Sequence, residues 1–480
     1  MADPAAPPAP GSPGASSPDG PSRVDVSAVL RSPAYVRLLL LAAVLGVPVS
    51  AAAYLFLYLM GLIQHWVFTD LPGQLGFAAP PLWWPLPPLL VSGVLVALAI
   101  SRLPGGGGHS PADGFHAGGK PPAPAELPGI LLAALAGLGL GVVVGPEAPL
   151  IALGAGLGVC AVRLSRRDVP ARAQAMVAAS GSFAAISALL GSPILGAFLL
   201  MESAGLGGAT LGMVLLPGLL ASGIGFLVFV GLDSLTGLGV PTLALPDVPP
   251  FAHPDIVQFG YAILSGLLAA PMGIGVRRLA LIVRPHVDRH RLALTPLVGL
   301  LVGILAVGYA ATTGNPTTDV LFSGQSALGP LLDNSAGYPL GALLMLLACK
   351  GLAYALSLSS FRGGPIFPAM FLGAAGGIAL SHLPGLPSVA GAAMGIAAMS
   401  TVMLKLPMTS VLLATLLLTA DGLTVMPLVI VAVVVAYVTA ARLEPAPPAR
   451  HTAPPTVPTA TGTPPAVEPG QALPTTPSDN

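Results

Sequence analysis

Gly145-Pro146-Glu147-Ala148-Pro149 is followed by Gly154 and Gly158, and Gly364-Pro365-Ile366-Phe367-Pro368 by Gly373 and Gly377. The two stretches share one spacing, G-P-x-x-P-x4-G-x3-G, at an offset of 364 − 145 = 219. Further on, Gly181 stands twelve residues before Pro193 and Gly395 twelve before Pro407, an offset of 395 − 181 = 214. In a chain with 60 glycines either match alone is weak. Two at nearly one offset predict an internal repeat of about half the folded region.

The composition says where that region sits. Of 480 residues, 54% are hydrophobic and 8% charged, against about 25% charged in an ordinary soluble domain. A water-facing surface cannot be built from so few charges, so the apolar excess must face lipid. Leu38–Met60, Pro88–Ile100, Ile130–Val144, Leu215–Val230 and Met426–Ala440 are apolar runs of spanning or near-spanning length. Many runs are short and interrupted by Gly or Pro. Broken helices are tolerated in a bilayer where the exposed backbone lines a cavity, as in transporters. The expected class is therefore an all-α polytopic membrane protein with broken and tilted helices. Residues 1–32 and 443–480, rich in Pro and small or polar residues, read as disordered tails, and 33–442 as one transmembrane domain. Zero net charge suggests no nucleic-acid partner.

Charge placement orients the halves. The region Gln64–Trp83 carries Asp70 and no Lys or Arg, whereas its equivalent contains Arg277, Arg278, Arg284, Arg289 and Arg291. Arg163, Arg166, Arg167 and Arg172 map onto Ser381–Val389, which has no Lys or Arg. Because Lys and Arg concentrate on the cytoplasmic side, equivalent loops lie on opposite faces. That predicts inverted repeats over about 33–231 and 254–442. Arg23, Arg31 and Arg37 place the N-terminal arm in the cytoplasm, and with it both termini, while Leu232–Asp255, acidic through Asp233, Asp247 and Asp255, lies outside.

Pro fits the first turn of a helix, where its missing N–H would be unpaired anyway, and Gly lets the chain turn sharply before it. Each Gly-Pro thus reads as a helix start within the membrane. The first amides of a helix lack partners and carry partial positive charge, and a bound anion satisfies them. Two starts brought together by a pseudo-twofold axis make an anion site without buried Lys or Arg. A single Gly-Pro in a membrane helix is more often a packing kink. Two in register, one with Glu147, favour the site. Glu147 is the sole acid in Leu127–Leu164, and an ionisable group at membrane depth is a functional candidate. Its carboxylate can occupy the donors an anion would use, and protonation would free them. Glu202 reads either as a helix-end acid meeting water or as a proton relay or ion-pair partner.

These residues resemble the CLC family of chloride channels and H+/Cl− exchangers, of the bacterial type without regulatory nucleotide-binding (CBS) domains. Gly145-Pro146-Glu147-Ala148-Pro149 is similar to its G-[KR]-E-G-P signature. Lys350 with Gly363-Gly364-Pro365-Ile366-Phe367-Pro368 and Gly373 is similar to its G-G-x-F-x-P segment. Gly191-Ser192-Pro193 through Glu202 resembles its A-P-x-x-G segment, and Leu404-Lys405-Leu406-Pro407-Met408-Thr409 its R-x-P-[LM]-[ST] segment. The resemblance implies an inverted-repeat CLC-type fold, a homodimer in the bacterial plasma membrane, and chloride or a similar anion as cargo. It implies Glu147 as gate, and backbone anion contacts at Gly108, Glu147, Ala148, Ile366 and Phe367. The chain departs from the family at Pro146 and Ala148, and at Gly107-Gly108-His109-Ser110-Pro111. There Gly108 stands where the family's G-S-G-x-P has Ser, so Ser110 becomes the candidate side-chain contact. The family's central Tyr has no counterpart, and the acid expected ten residues past Pro193 is Ser203. Glu202, one position earlier, is the candidate proton relay. Fluoride or nitrate is the alternative cargo. No constellation for an intramembrane enzyme appears, His109 and His116 read as solvated loop residues, and neither metal nor cofactor is implied.

Overall fold

A computed structural model describes residues 30–444, apart from 116–118, 166–168, 206–207, 239–250, 252 and 419–421. The expectations for the two tails, and for His116, Arg166, Arg167 and Asp247, lie outside the described residues. The described chain is built of helices: α1 Pro33–His65, α2 Leu86–Arg102, α3 Leu127–Gly139, α4 Glu147–Leu164, α5 Ala171–Leu190, α6 Pro193–Ser203 and α7 Gly208–Thr236 form the first half. The second half holds α8 Ile256–Arg289, α9 Arg291–Thr313, α10 Gln325–Asp333, α11 Leu340–Ser360, α12 Ile366–Leu380, α13 Ser388–Leu404, α14 Pro407–Leu417 and α15 Gly422–Leu443. Among the described residues, eight helical segments are long and apolar enough to cross a membrane, and α2, α3, α6, α12, α13 and α14 are shorter apolar helices.

Where the sequence suggested a loop from Gln64, α1 instead continues through a π turn at Trp66–Asp70 and a last turn at Leu71–Gln74. The arginines expected in a loop near 278–297 sit largely on α8, whose 34 residues extend about 50 Å. That exceeds the roughly 30 Å hydrocarbon core and is long enough to span it with tilt.

Glycine sets the closest helix crossings. A Cβ on Gly154 of α4 would lie 2.3 Å from the carbonyl oxygen of Gly181 on α5, and one on Gly181 2.1 Å from that of Gly154. In the second half Gly373 of α12 and Gly395 of α13 face each other in the same way, at 2.2 and 1.9 Å. Gly377 and Gly391 repeat the contact at 1.8 and 2.4 Å. In lipid, where tails are as apolar as leucine, such backbone approach is what holds helices together. Gly154 and Gly181 therefore pack the way Gly373 and Gly395 do. α12 and α13 are buried along nearly their whole length, which places the centre of the molecule around Ile366–Leu404.

Candidate anion site

Both Gly-Pro motifs start helices. Pro146 is the N-cap of α4, with Glu147 its first residue. Pro365 is the N-cap of α12, with Ile366 its first residue. The two turns touch. Gly145 N–H donates to Gly364 O at 2.7 Å, and Gly364 N–H to Gly145 O at 2.6 Å, the isolated antiparallel bridge of the described chain.

Glu147 is fully buried. Its carboxylate reaches across this junction, and Oε1 accepts from Phe367 N–H at 2.9 Å. The amides of Glu147 itself and of Ile366 lie near enough to act on the same group. Oε2 is buried and makes no hydrogen bond among the described residues. It packs over the glycines: a Cβ on Gly364 would sit 1.8 Å from Oε2, and one on Gly145 2.1 Å. A side chain at either position would occupy the carboxylate's place. The two turns thus bring Glu147, Ile366 and Phe367 together, with the acid lying on the amides of the other half's helix.

A cavity of about 570 Å³ leads to this junction, lined by Ala148 and Pro149 on one side and Gly363 and Pro365 on the other. Gly107, Gly108 and Ser110 also line it. Gly105 to Gly108 all have positive φ, between 54° and 90°, a run that only glycine takes without strain. After Ser110 the chain makes only the short 3-10 turn Pro111–Asp113, so this segment contributes loop backbone rather than a long helix start. Ser110 Oγ is buried with no hydrogen-bond partner among the described residues. His109 is exposed.

Glu202 is half-buried at the end of α6. Oε1 accepts from Met408 N–H at 3.0 Å, and Oε2 from Thr409 N–H at 2.8 Å and Thr409 Oγ at 2.7 Å. The carboxylate therefore caps the start of α14, satisfying amides that the helix leaves unpaired.

Three residues near the site carried no functional reading from sequence. Tyr354, fully buried on α11, donates to Pro365 O at 2.8 Å and so holds the second Gly-Pro turn. Ser357 Oγ accepts from Val143 N–H at 3.3 Å, just before the first. Lys350 donates to the carbonyls of Asp319, Val320 and Leu321 at 2.8–3.2 Å, and lies 4.3 Å from the centre of the Phe371 ring. Three acceptors and an aromatic face offset the burial of its charge. Residue Phe322, next in that loop, donates its N–H to Gly141 O at 3.1 Å, tying the loop to the approach to Glu147. Among the described residues no cluster of ligands could hold a metal.

The model of the voltage gated chloride channel family matches residues 104–441. The chain belongs to this family. A candidate ion-transport protein, YfeO of Escherichia coli O1:K1 / APEC, is 28% identical over 351 residues, covering 72% of this chain and 80% of YfeO. Its counterpart in Escherichia coli strain K12 / DH10B is 27% identical over the same length. Two solved structures share the fold. A slow cyanobacterial Cl−/H+ antiporter superposes with TM-score 0.71 at 20% identity, over 85% of this chain and 95% of that one. A CLC-type fluoride/proton antiporter gives 0.61 at 18% identity, over 84% and 95%. The CLC fold that the resemblance implied is thus the fold of this chain.

Proposed function

We propose that this membrane protein moves chloride through the junction of its two Gly-Pro turns, with Glu147 as the gate. One observation carries the reading: a fully buried carboxylate at the start of α4 accepts the Phe367 amide at the start of α12. An amide pair at two helix starts is an anion site, and here the protein's own anion fills it. Protonation neutralises the carboxylate, weakens its hold on the amides and frees them for chloride. The contacts are then the backbones of Glu147, Ala148, Ile366 and Phe367, with Gly108 and Ser110 along the cavity. Neutral amide donors hold chloride without the grip of a full charge, which suits conduction.

The two halves act as inverted repeats in this scheme, the glycine crossings supporting it on either side of the Gly145–Gly364 bridge. The arginines at the end of α8 face the cytoplasm, and two copies associate through the apolar surface of residues 173–230, in a bacterial plasma membrane. Fluoride is the second reading, favoured by Gly108 in place of a hydroxyl residue. Chloride efflux from proteoliposomes, with fluoride and nitrate as competitors and external pH recorded, tests both. Flux inhibited by fluoride alone would favour the second. Protons driven uphill by chloride would make the protein an exchanger, and their absence a channel.

A further inference from the structure

We propose that Arg362 forms an anion-binding site in the cavity that leads to Glu147, and this inference rests on the transport reading above. Arg362 is the sole Lys, Arg, Asp or Glu between Lys350 and Lys405. A charge placed in such an apolar stretch needs a reason. Its side chain lines the same cavity as Gly108, Ser110, Ala148 and Pro365, yet the residue is only 9% exposed.

The guanidinium has five N–H donors. Its hydrogen bonds are to Gly106 O at 3.4 Å and Phe361 O at 3.3 Å, both neutral carbonyls. No carboxylate is paired with it among the described residues. The two acids within its electrostatic reach, Asp113 and Asp288, are taken by other arginines. Asp113 pairs with Arg284, and Asp288 with Arg284 and Arg291. Asp113, Lys120 and Glu126 also line the cavity, and Arg362 is the arginine there whose guanidinium meets no carboxylate among the described residues. A buried charge with no carboxylate in contact is costly, and a small monovalent anion would supply that contact.

The chemistry around it fits. Ser110 presents a buried hydroxyl that has no partner among the described residues, so a guanidinium and an O–H donor line one cavity. The charge is also one-sided. At the repeat offset, 362 − 219 = 143, the first half has the apolar Val143. A single positive charge in a low-dielectric cleft raises the local anion concentration. The site therefore collects chloride on the face bearing the α8 arginines and hands it to the junction. It also gives the ion a binding position where Gly108 offers no side chain.

Chloride binding to the full-length protein in detergent, measured by titration calorimetry, and the chloride dependence of flux in proteoliposomes would be compared for wild type, Arg362→Gln and Arg362→Lys. The expected result is about tenfold weaker binding in Arg362→Gln. Its half-saturating chloride should rise, with a smaller change in maximum rate, and Arg362→Lys should recover most of the loss. Wild-type affinity in Arg362→Gln, or equal impairment in Arg362→Lys, would overturn the site and leave Arg362 as an anchor for the Gly106 and Phe361 carbonyls. Should Arg362→Gln not fold, Ser110→Ala decides: about threefold weaker binding supports the site, and unchanged affinity overturns it. Arg362-dependent binding without any flux would support the site while removing the transport reading.

Discussion

Gly145 and Gly364 exchange both of their backbone hydrogen bonds, at 2.7 and 2.6 Å, although 219 residues separate them. The exchange brings the starts of α4 and α12 together and leaves the Glu147 carboxylate packed over both glycines. In the proposed scheme the glycines, and not only the acid, then shape the gate.

Gly364→Ala should therefore displace the carboxylate, because the new Cβ would fall 1.8 Å from Oε2. The expected variant elutes as a folded protein and resembles Glu147→Gln, with anion flux that has lost much of its pH dependence. Flux assays at two external pH values check it. A Gly364→Ala protein with wild-type pH dependence would mean that the carboxylate does not need this space.

The glycine crossings predict a graded stability effect. Gly377→Ala places a Cβ 1.8 Å from the Gly391 carbonyl oxygen, and Gly395→Ala 1.9 Å from that of Gly373. Each should cost about 1–3 kcal/mol, the usual range for overpacking. Gly275, also inside a helix, has nothing within 4 Å of the place a Cβ would take, so Gly275→Ala should be neutral or slightly stabilising. Thermal unfolding in detergent distinguishes the three.

Lys350→Met should destabilise the protein by about 3 kcal/mol or more, since it leaves the Asp319, Val320 and Leu321 carbonyls without their shared donor. The loop they belong to reaches Gly141 through Phe322, so chloride flux per folded molecule should fall as well. A melting temperature equal to wild type would show that the carbonyls find other partners.

Glu202→Gln keeps one acceptor oxygen and loses the other, so one side of the α14 cap is lost. A cost of about 0.5–2 kcal/mol is expected for a helix cap, with any proton coupling preserved. Loss of coupling at unchanged stability would instead make Glu202 the relay.

Much of the site was legible in the sequence because its signals are residue types with few alternative uses. Gly-Pro announces a helix start, and Glu147 is the lone acid of a long apolar stretch. The matching glycines announced the repeat, and the structure shows that they also sit at the closest helix crossings. Lys350 and Arg362 were not legible in the same way. The acceptors of Lys350 are backbone carbonyls about thirty residues away, and any residue supplies a carbonyl. The unpaired state of Arg362 depends on Arg284 and Arg291 having taken Asp113 and Asp288, a competition that only packing decides. Glu202 was ambiguous because its donors lie across the fold, at Met408 and Thr409.

The central claim is that the Glu147 carboxylate and the transported anion compete for the amides around Phe367. Chloride efflux from proteoliposomes as a function of external pH, for wild type and Glu147→Gln, tests it most directly. Wild-type flux should rise as pH falls, because protonation takes the carboxylate's charge off the amides, whereas Glu147→Gln should conduct at every pH with little dependence on it. A Glu147→Gln protein that retained the wild-type pH dependence would contradict the claim.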